Sequence, residues 1–357
     1  MKVAIVGLGY AGTRFLKAFR NVAREAGTAH RLSFAYVGRH RTTDEIPYYP
    51  TVTAALAEFR PDVVVVSVPE HARAQIFTEL AGYTGFVVSE KNLATSRDDL
   101  DLVAKSLADV SGFTLDLVER YSEATRYLRE YVRAHQLELV RANFIWGKDR
   151  INDHRPTSGV PSEVVHSLDL VPWICGGGHR LEVDTAIGTR SDFSVSGPEV
   201  LDSVALTARL GPGAVTGYSS FVHITRKREV DFVFRTPDAE LLYASIVFDT
   251  PVWDADHLRI WQRRDHGDEL IHELRTDGEA GDPELRTVIK LGRLVRDVAR
   301  FVEDGIRPEV PFASLEDSLS LQRLLNDVEG RSRTVGPVSY FPDGRAALAE
   351  VDWERLG

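Results

Sequence analysis

The hydrophobic pattern of the first third of the chain alternates short apolar runs with helical periods. Short strand-like runs occur at residues 3–6, 32–37, 63–68, 85–89 and 114–118. The first is continuously apolar, as is typical of a strand buried on both faces. Helical stretches separate them at residues 11–26, 52–59, 72–81 and 96–108. This alternation is typical of parallel strands joined by crossover helices. We therefore predict an N-terminal Rossmann domain, a doubly wound parallel sheet, over residues 1–119.

The pattern changes in the remainder of the chain. Helices are predicted at residues 123–134 and 161–174, followed by strand-like runs at 203–210, 215–221, 230–234, 241–247 and 258–261. Strands joined by short turns indicate a mostly antiparallel sheet. Amphipathic helices return at residues 286–301 and 315–328, and Ser314 with Asp317 predicts a capping box for the last one. Residues 120–357 are thus predicted to form an α+β domain, which makes the fold class α/β plus α+β.

Composition narrows the functional classes. The 357 residues are 43% hydrophobic and 27% charged, as in globular proteins, and the net charge of −10 gives no general attraction to nucleic acid or anionic membranes. No apolar run approaches the roughly 18 residues of a membrane span. The single cysteine, Cys175, excludes an intramolecular disulfide, and we interpret it as a helix terminus rather than a catalytic thiol. We expect a cytoplasmic protein.

Basic residues are dispersed along the chain. The densest run, Arg226-Lys227-Arg228, is followed at once by Glu229 and Asp231. We expect this run to be a solvated strand end.

A glycine-rich motif follows the first predicted strand. It is a G-x-G-x-x-G sequence and reads Gly7-Leu8-Gly9-Tyr10-Ala11-Gly12. Because it ends a buried strand and opens a helix, its context is that of a dinucleotide-binding loop. Gly7 would permit the tight turn, Gly9 the approach of a pyrophosphate, and Gly12 close helix packing. The helix N-terminus, with Tyr10 and Ala11, would present N–H groups to the phosphates.

The end of the second strand predicts which dinucleotide is bound. The sequence reads Val37-Gly38-Arg39-His40-Arg41, with no acid until Asp44. A carboxylate here would hold a ribose 2′-hydroxyl, whereas an arginine pairs with a 2′-phosphate. We therefore expect NADP(H) rather than NAD(H), with Arg39 and neighbouring His40 at the phosphate. The alternative is that these are ordinary exposed loop residues.

Lys91 lies just beyond the predicted strand 85–89. Ligands of parallel sheets bind at this carboxyl edge, where a lysine can donate a hydrogen bond or proton to a carbonyl that receives hydride. The alternative is a solvated loop lysine.

The predicted helix 161–174 carries a polar stripe. At about 100° per residue, Ser162, His166 and Asp169 fall within roughly 60° of one another, opposite an apolar side. We expect this helix to bury the apolar face, and Asp169 to orient His166 for general acid–base chemistry. The alternative is a capped or solvated histidine.

Several segments, in order, resemble the Gfo/Idh/MocA oxidoreductases over nearly the whole chain. They are the glycine motif, Val65-Val66-Ser67-Val68-Pro69-Glu70-His71, Glu90-Lys91, Glu119-Arg120-Tyr121-Ser122, His166-Ser167-Leu168-Asp169 and the helix at residues 314–326. The resemblance implies action on sugars, inositols or nucleotide sugars. It also implies that the C-terminal sheet is open, and that its open face joins subunits into a homodimer or homotetramer.

The same resemblance implies roles for individual residues. Lys91 matches the family's catalytic lysine, and His166 matches its proton-transfer histidine. Val68, Pro69 and His71 match the loop that lines the cofactor. Glu90 matches the acid beside the catalytic lysine, and we expect it to contact the cofactor as well.

Two positions depart from the family pattern. Asn92 replaces the proline that usually follows Glu-Lys, so we expect a trans Lys91–Asn92 peptide, because a non-proline cis bond costs about 3 kcal/mol. Ser162 replaces an aspartate four residues before His166. Either Glu163 takes over its role, or Lys91 and His166 work without an acid, or the chemistry is altered.

The sequence therefore predicts NADP(H)-dependent hydride transfer to or from a carbohydrate-like carbonyl or alcohol. The expected substrate contacts are Arg120, Tyr121, Lys148, Asp153, His154, Arg155, Ser162 and Glu163. Arg120 and Arg155 would suit an anionic substrate, or would instead form inter-domain salt bridges. Two alternatives are an imine reductase and a dinucleotide-binding regulator without turnover. We expect no metal and no nucleic acid partner.

Overall fold

The computed structural model describes residues 1–25, 27, 32–150, 157–193, 197–277 and 288–338.

The first sheet is fully parallel. The six strands have the order β3-β2-β1-β4-β5-β6 and span Lys2–Val6 (β1), Ser33–Val37 (β2), Tyr48–Tyr49 (β3), Val63–Val66 (β4), Phe86–Ser89 (β5) and Gly112–Leu115 (β6). The crossover helices are Tyr10–Glu25 (α1), Val52–Glu58 (α2), Glu70–Glu79 (α3) and Leu100–Ser106 (α4). This sheet confirms the Rossmann prediction; the short strand β3 was not predicted.

The second sheet has nine strands in the order β14-β13-β12-β11-β7-β10-β9-β8-β15. Its strands are Glu138–Asp149 (β7), Leu181–Ser191 (β8), Ser203–Leu210 (β9), Gly213–Ser220 (β10), Val222–Arg235 (β11), Leu241–Val247 (β12), His257–Arg264 (β13), Gly267–Arg275 (β14) and Ser332–Val338 (β15). Only the β7–β10 and β8–β15 pairs are parallel, so the predicted antiparallel character is confirmed. The central strand, β7, was not predicted.

Four helices flank this sheet and join it to the first one. They are Glu123–Ala134 (α5), Pro161–Cys175 (α6), Ile289–Asp304 (α7) and Leu315–Arg331 (α8). The apolar face of α7 packs in the same core as β1 and α1, so a helix late in the chain covers the first sheet. The capping box predicted for α8 is present, since Ser314 and Asp317 each accept the other's backbone N–H.

The strand order reverses between β1 and β4, and ligands of such sheets bind at the carboxyl edge beside this point. Ser67 holds the two strand ends together, because its hydroxyl donates to the carbonyls of Val6 and Gly7. Among the described residues, no helix is long and apolar enough to cross a membrane.

Candidate functional site

The glycine-rich loop has the backbone that a dinucleotide loop needs. Gly7 has φ +92°, and a Cβ on Gly12 would lie 2.1 Å from the Gly7 carbonyl oxygen. Both positions therefore require glycine. A Cβ on Gly9 would meet nothing within 4 Å, so open space lies beside that backbone. Helix α1 begins at Tyr10, directly after Gly9, and the N-terminus of a helix favours a bound anion. This loop fits a pyrophosphate.

Arg39 and His40 follow β2 and are exposed. Arg39 has no ion pair or hydrogen bond with the described part of the chain, whereas Arg41 pairs with Asp44 at 2.7 Å. Arg39 is therefore available to a ligand. The nearest acid that follows it in the sequence, Asp44, is already paired with Arg41.

Arg73 joins two loops of the carboxyl edge, and sequence reasoning missed it. Its side chain is buried on α3 and donates at 2.9 Å to the carbonyl of Val68 and also to that of Asn92. Pro69 and His71, which adjoin Val68, are exposed at the same edge. Arg73 thus fixes the expected cofactor loop relative to the loop of Lys91. A lone arginine in a helical run gives no signal of this role.

The Lys91–Asn92 peptide is cis, so the expected trans bond is wrong. The surrounding contacts hold it: Asn92 is buried and its carbonyl is bound by Arg73. The Nζ of Lys91 donates to the carbonyl oxygen of Ser162 at 2.6 Å. This contact brings the carboxyl edge of the first sheet to the first turn of α6.

Helix α6 is buried on all sides from Pro161 to Val171, not on one apolar face alone as predicted. The prediction that Asp169 orients His166 is also wrong. Asp169 instead accepts two hydrogen bonds from the buried guanidinium of Arg120, at 2.8 and 2.5 Å. The salt-bridge alternative therefore describes Arg120, since a bidentate arginine occupies both carboxylate oxygens.

His166 is buried against the ring of Trp146, with centroids 5.2 Å apart and planes 23° from parallel. Its Nδ1 has no hydrogen-bond partner among the described residues. Burial, followed by the charges of Lys91 and Arg228, holds the pKa of His166 well below its usual value. The imidazole is therefore neutral at physiological pH, which is the protonation state that a general base requires.

Glu163 is fully buried between two cations. Its Oε1 lies 3.5 Å from Nζ of Lys148, and its Oε2 lies 3.7 Å from Nη2 of Arg228. Burial alone would raise the pKa of this carboxyl, but Lys148, Lys91 and Arg228 outweigh it and lower the pKa to about 2. Glu163 is therefore a carboxylate near the position where the family pattern has an aspartate.

Arg228 corrects the expectation of a solvated basic run. It is only 3% exposed, pairs with Asp249, and stacks over Trp146 at 5.2 Å from the ring centroid. The alternating pattern of β11 turns its side chain toward α6, a placement that depends on a sheet register invisible in the sequence.

Lys148, near the end of β7, keeps a quarter of its side chain exposed. Burial lowers the pKa of Lys148 to about 7, with Glu163 opposing and the neighbouring cations reinforcing the shift. Its ammonium is therefore readily deprotonated near neutral pH.

Two other expected substrate contacts are bonded or buried within the fold. The hydroxyl of Ser162 donates to the carbonyl of Gly159 at 2.8 Å, and Tyr121 is buried in the core under α7. Asp153, His154 and Arg155 lie outside the described residues.

Glu90 is half-buried beside Asp116, where burial and the Glu90 charge raise the pKa of Asp116 well above its usual value. No group of metal-ligating side chains occurs among the described residues.

Comparison with known proteins agrees with this geometry. A family model described as "Oxidoreductase family, NAD-binding Rossmann fold" (GFO_IDH_MocA) matches residues 1–112. The match covers the first sheet, from β1 to the start of β6. No curated protein matches the chain in a sequence search.

Solved structures of the same fold align with nearly the whole chain. An NAD binding oxidoreductase from Klebsiella pneumoniae has a TM-score of 0.71 at 15% identity, covering 93% of this chain and 96% of its own. KijD10, a 3-ketoreductase from Actinomadura kijaniata in complex with NADP and TDP-benzene, has a TM-score of 0.68 at 16% identity, covering 94% and 98%. A super-repressor mutant of Gal80p from Saccharomyces cerevisiae has a TM-score of 0.72 at 14% identity, covering 93% and 95%. At these identities the likeness shows the fold alone.

Proposed function

We propose that the protein is an NADP(H)-dependent oxidoreductase acting on a carbohydrate-like carbonyl or alcohol, such as a sugar, an inositol or a nucleotide sugar. One observation carries this proposal: Lys91, beside the glycine-loop edge, donates to the carbonyl of Ser162 one helical turn before His166. The contact gathers a donor and a neutral imidazole at the edge where a dinucleotide would bind.

A bound nicotinamide would supply or take up the hydride. Lys91 would donate a hydrogen bond to the reacting oxygen and stabilise negative charge there. His166, neutral because of its burial beside cations, would accept the proton of an alcohol substrate. Arg39 would pair with the 2′-phosphate, which supports NADP(H) over NAD(H).

Substrate charge follows from the same cluster. Lys91 and Lys148 lie beside the carboxylate of Glu163, while Arg228 is shared between Glu163 and Asp249. The ammonium form of partly exposed Lys148 would be the contact for an anionic substrate. The solved 3-ketoreductase complex holds NADP and a TDP compound, a precedent for such a ligand pair on this fold.

The first experiment is a fluorescence titration of the purified protein with NADPH and NADH. Tighter binding of NADPH is expected, followed by turnover when sugar-like carbonyls are screened with that cofactor. Preference for NADH would contradict the role of Arg39, and binding of neither, once bound endogenous cofactor is excluded, would contradict the redox function.

A regulator without turnover is the second candidate. The fold of the chain matches that of Gal80p, and a second solved Gal80p structure is described as that of a transcriptional regulator. NADPH binding with no oxidation of it across the screen would favour that function.

We also propose self-association through the open face of the second sheet. Its strands carry exposed apolar side chains, namely Ile187, Tyr218, Leu241, Leu270 and Val335. Light scattering on the purified protein should give a dimer or tetramer; a monomer would contradict this.

A further inference from the structure

We propose that Lys148 exchanges protons between solvent and the buried part of the candidate site, acting through His166. The inference rests on the proposed function and extends it. Lys148 is a proton-exchange residue here, while Lys91 binds the reacting oxygen.

Three elements converge to place it. Lys91 follows β5, Lys148 lies near the end of β7, and both reach the first turn of α6. Lys91 binds the carbonyl of Ser162 at 2.6 Å, and Lys148 lies 3.5 Å from Glu163 in the next position. His166 follows Glu163 by three residues, so it lies on the same side of the helix.

The exposed fractions of these side chains show which of them contacts solvent. Glu163 is 0% exposed and His166 is 6% exposed, whereas the side chain of Lys148 is 25% exposed. An imidazole that accepts a proton in this interior must pass it on before the next turnover. Lys91 is also partly exposed but is assigned to the reacting oxygen. Among the described residues, Lys148 is the remaining lysine beside Glu163 and His166 that contacts water.

The groups around Lys148 allow both its amine and its ammonium form near neutral pH. The groups that interact with it are Glu163 and His166 on α6, Lys91 after β5, Arg228 on β11 and Arg150 after β7. Burial and three cations favour the amine, while the carboxylate of Glu163 favours the ammonium. A lysine with these opposed neighbours can both accept and release a proton near neutral pH.

The same two residues carry the proton in both directions of the reaction. In oxidation, for which a bound dinucleotide would accept the hydride, His166 takes the proton of the substrate hydroxyl and passes it to the amine of Lys148. The ammonium of Lys148 then releases the proton to water. In reduction, the ammonium of Lys148 returns a proton to His166, which protonates the alkoxide formed by hydride addition. A permanent cation at position 148 could not perform either transfer.

The first test needs no substrate. The protein is methylated with formaldehyde and a borane reductant over a pH series, and each lysine peptide is quantified by mass spectrometry, with exposed Lys105 as the control. The Lys148 rate should level off near neutral pH, while the Lys105 rate continues to rise. Glu163→Gln should move the Lys148 plateau to lower pH. A Lys148 rate that rises in parallel with Lys105 in the wild-type protein would overturn the proposal, whatever the variant does.

The second test uses a substrate found in the carbonyl screen. Lys148→Ala should lower kcat by at least about tenfold, and added ethylamine should restore part of it. Lys148→Arg keeps the charge but cannot release a proton near neutral pH, so it should stay impaired. Wild-type kcat and pH profile in Lys148→Arg would show that a fixed cation suffices and would overturn the proposal. Failure of the proposed function is distinct, because it appears as absent dinucleotide binding in the wild-type protein.

Discussion

The ammonium of Lys91 and the main-chain carbonyl of Ser162 are joined by a 2.6 Å hydrogen bond across 71 residues of sequence. The bond connects the carboxyl edge of the parallel sheet with the buried helix of His166. Lys91 and the helix of His166, which the sequence predicted separately, are therefore in direct contact.

Replacement of this lysine tests its role directly. Lys91→Ala should abolish turnover, a loss of at least about a hundredfold, because the donor to the reacting oxygen is removed. NADPH affinity should be retained, since the glycine loop does not depend on Lys91. Steady-state kinetics and cofactor titration measure the two effects. Unchanged turnover would remove Lys91 from the mechanism.

Cofactor specificity is predicted to depend on Arg39. Arg39→Ala should weaken NADPH binding by about 10- to 100-fold, because a charge-assisted hydrogen bond contributes roughly 1.5–3 kcal/mol, and should leave NADH binding unchanged. Arg41→Ala is the matched control, as Arg41 already pairs with Asp44 in the same loop. Equal effects of the two variants on NADPH affinity would indicate only a general loss of positive charge.

Two glycines of the motif should respond differently to the same added methyl group. Gly9→Ala should leave stability nearly unchanged, because its Cβ meets open space, yet it should weaken dinucleotide binding. Gly12→Ala should cost about 1–3 kcal/mol of unfolding free energy, because its Cβ would lie 2.1 Å from a carbonyl oxygen. Chemical denaturation and NADPH titration of both variants measure this. Normal NADPH affinity in Gly9→Ala would place the pyrophosphate elsewhere.

The buried pair of Arg120 and Asp169 should contribute to stability rather than to proton transfer. Asp169→Asn should lower the free energy of unfolding by about 3–5 kcal/mol, because a buried guanidinium loses its counter-charge. Asp268→Asn in the exposed pair with Arg263 should change it by about 1 kcal/mol or less. A stable Asp169→Asn protein with a shifted pH–rate profile would instead restore Asp169 as the partner of His166.

Glu163 should make stability depend on acid pH. Its pKa falls from 4.5 in the unfolded reference to about 2 in the folded protein. A depressed carboxyl pKa stabilises the fold above pH 4.5, and this contribution, on the order of 3 kcal/mol, is lost as the pH falls toward 2. Denaturation of the wild type and Glu163→Gln should therefore differ less at pH 3 than at pH 6. Exposed Glu130→Gln should show no such change.

The sequence determined the local features of this protein. The apolar runs specified β1, β4 and β5, because parallel strands buried on both faces require continuous hydrophobic residues. The glycine motif specified its own turn, since the φ of Gly7 and the contact at Gly12 exclude side chains there. Lys91 and His166 were singled out from the strand and the helix that carry them, and their catalytic role stays a prediction.

Only the tertiary structure decided how distant charges pair. Asp169 lies on the same helical stripe as His166, yet Arg120 binds it, because the short segment before α5 brings that guanidinium to α6. Arg228 looked like part of a solvated run, and the register of β11 against β7 buries it beside Glu163. Helical and strand periodicity predict which face of its element a side chain occupies. The partner that the side chain meets depends on strand order and register, and these are set by contacts between residues far apart in the sequence.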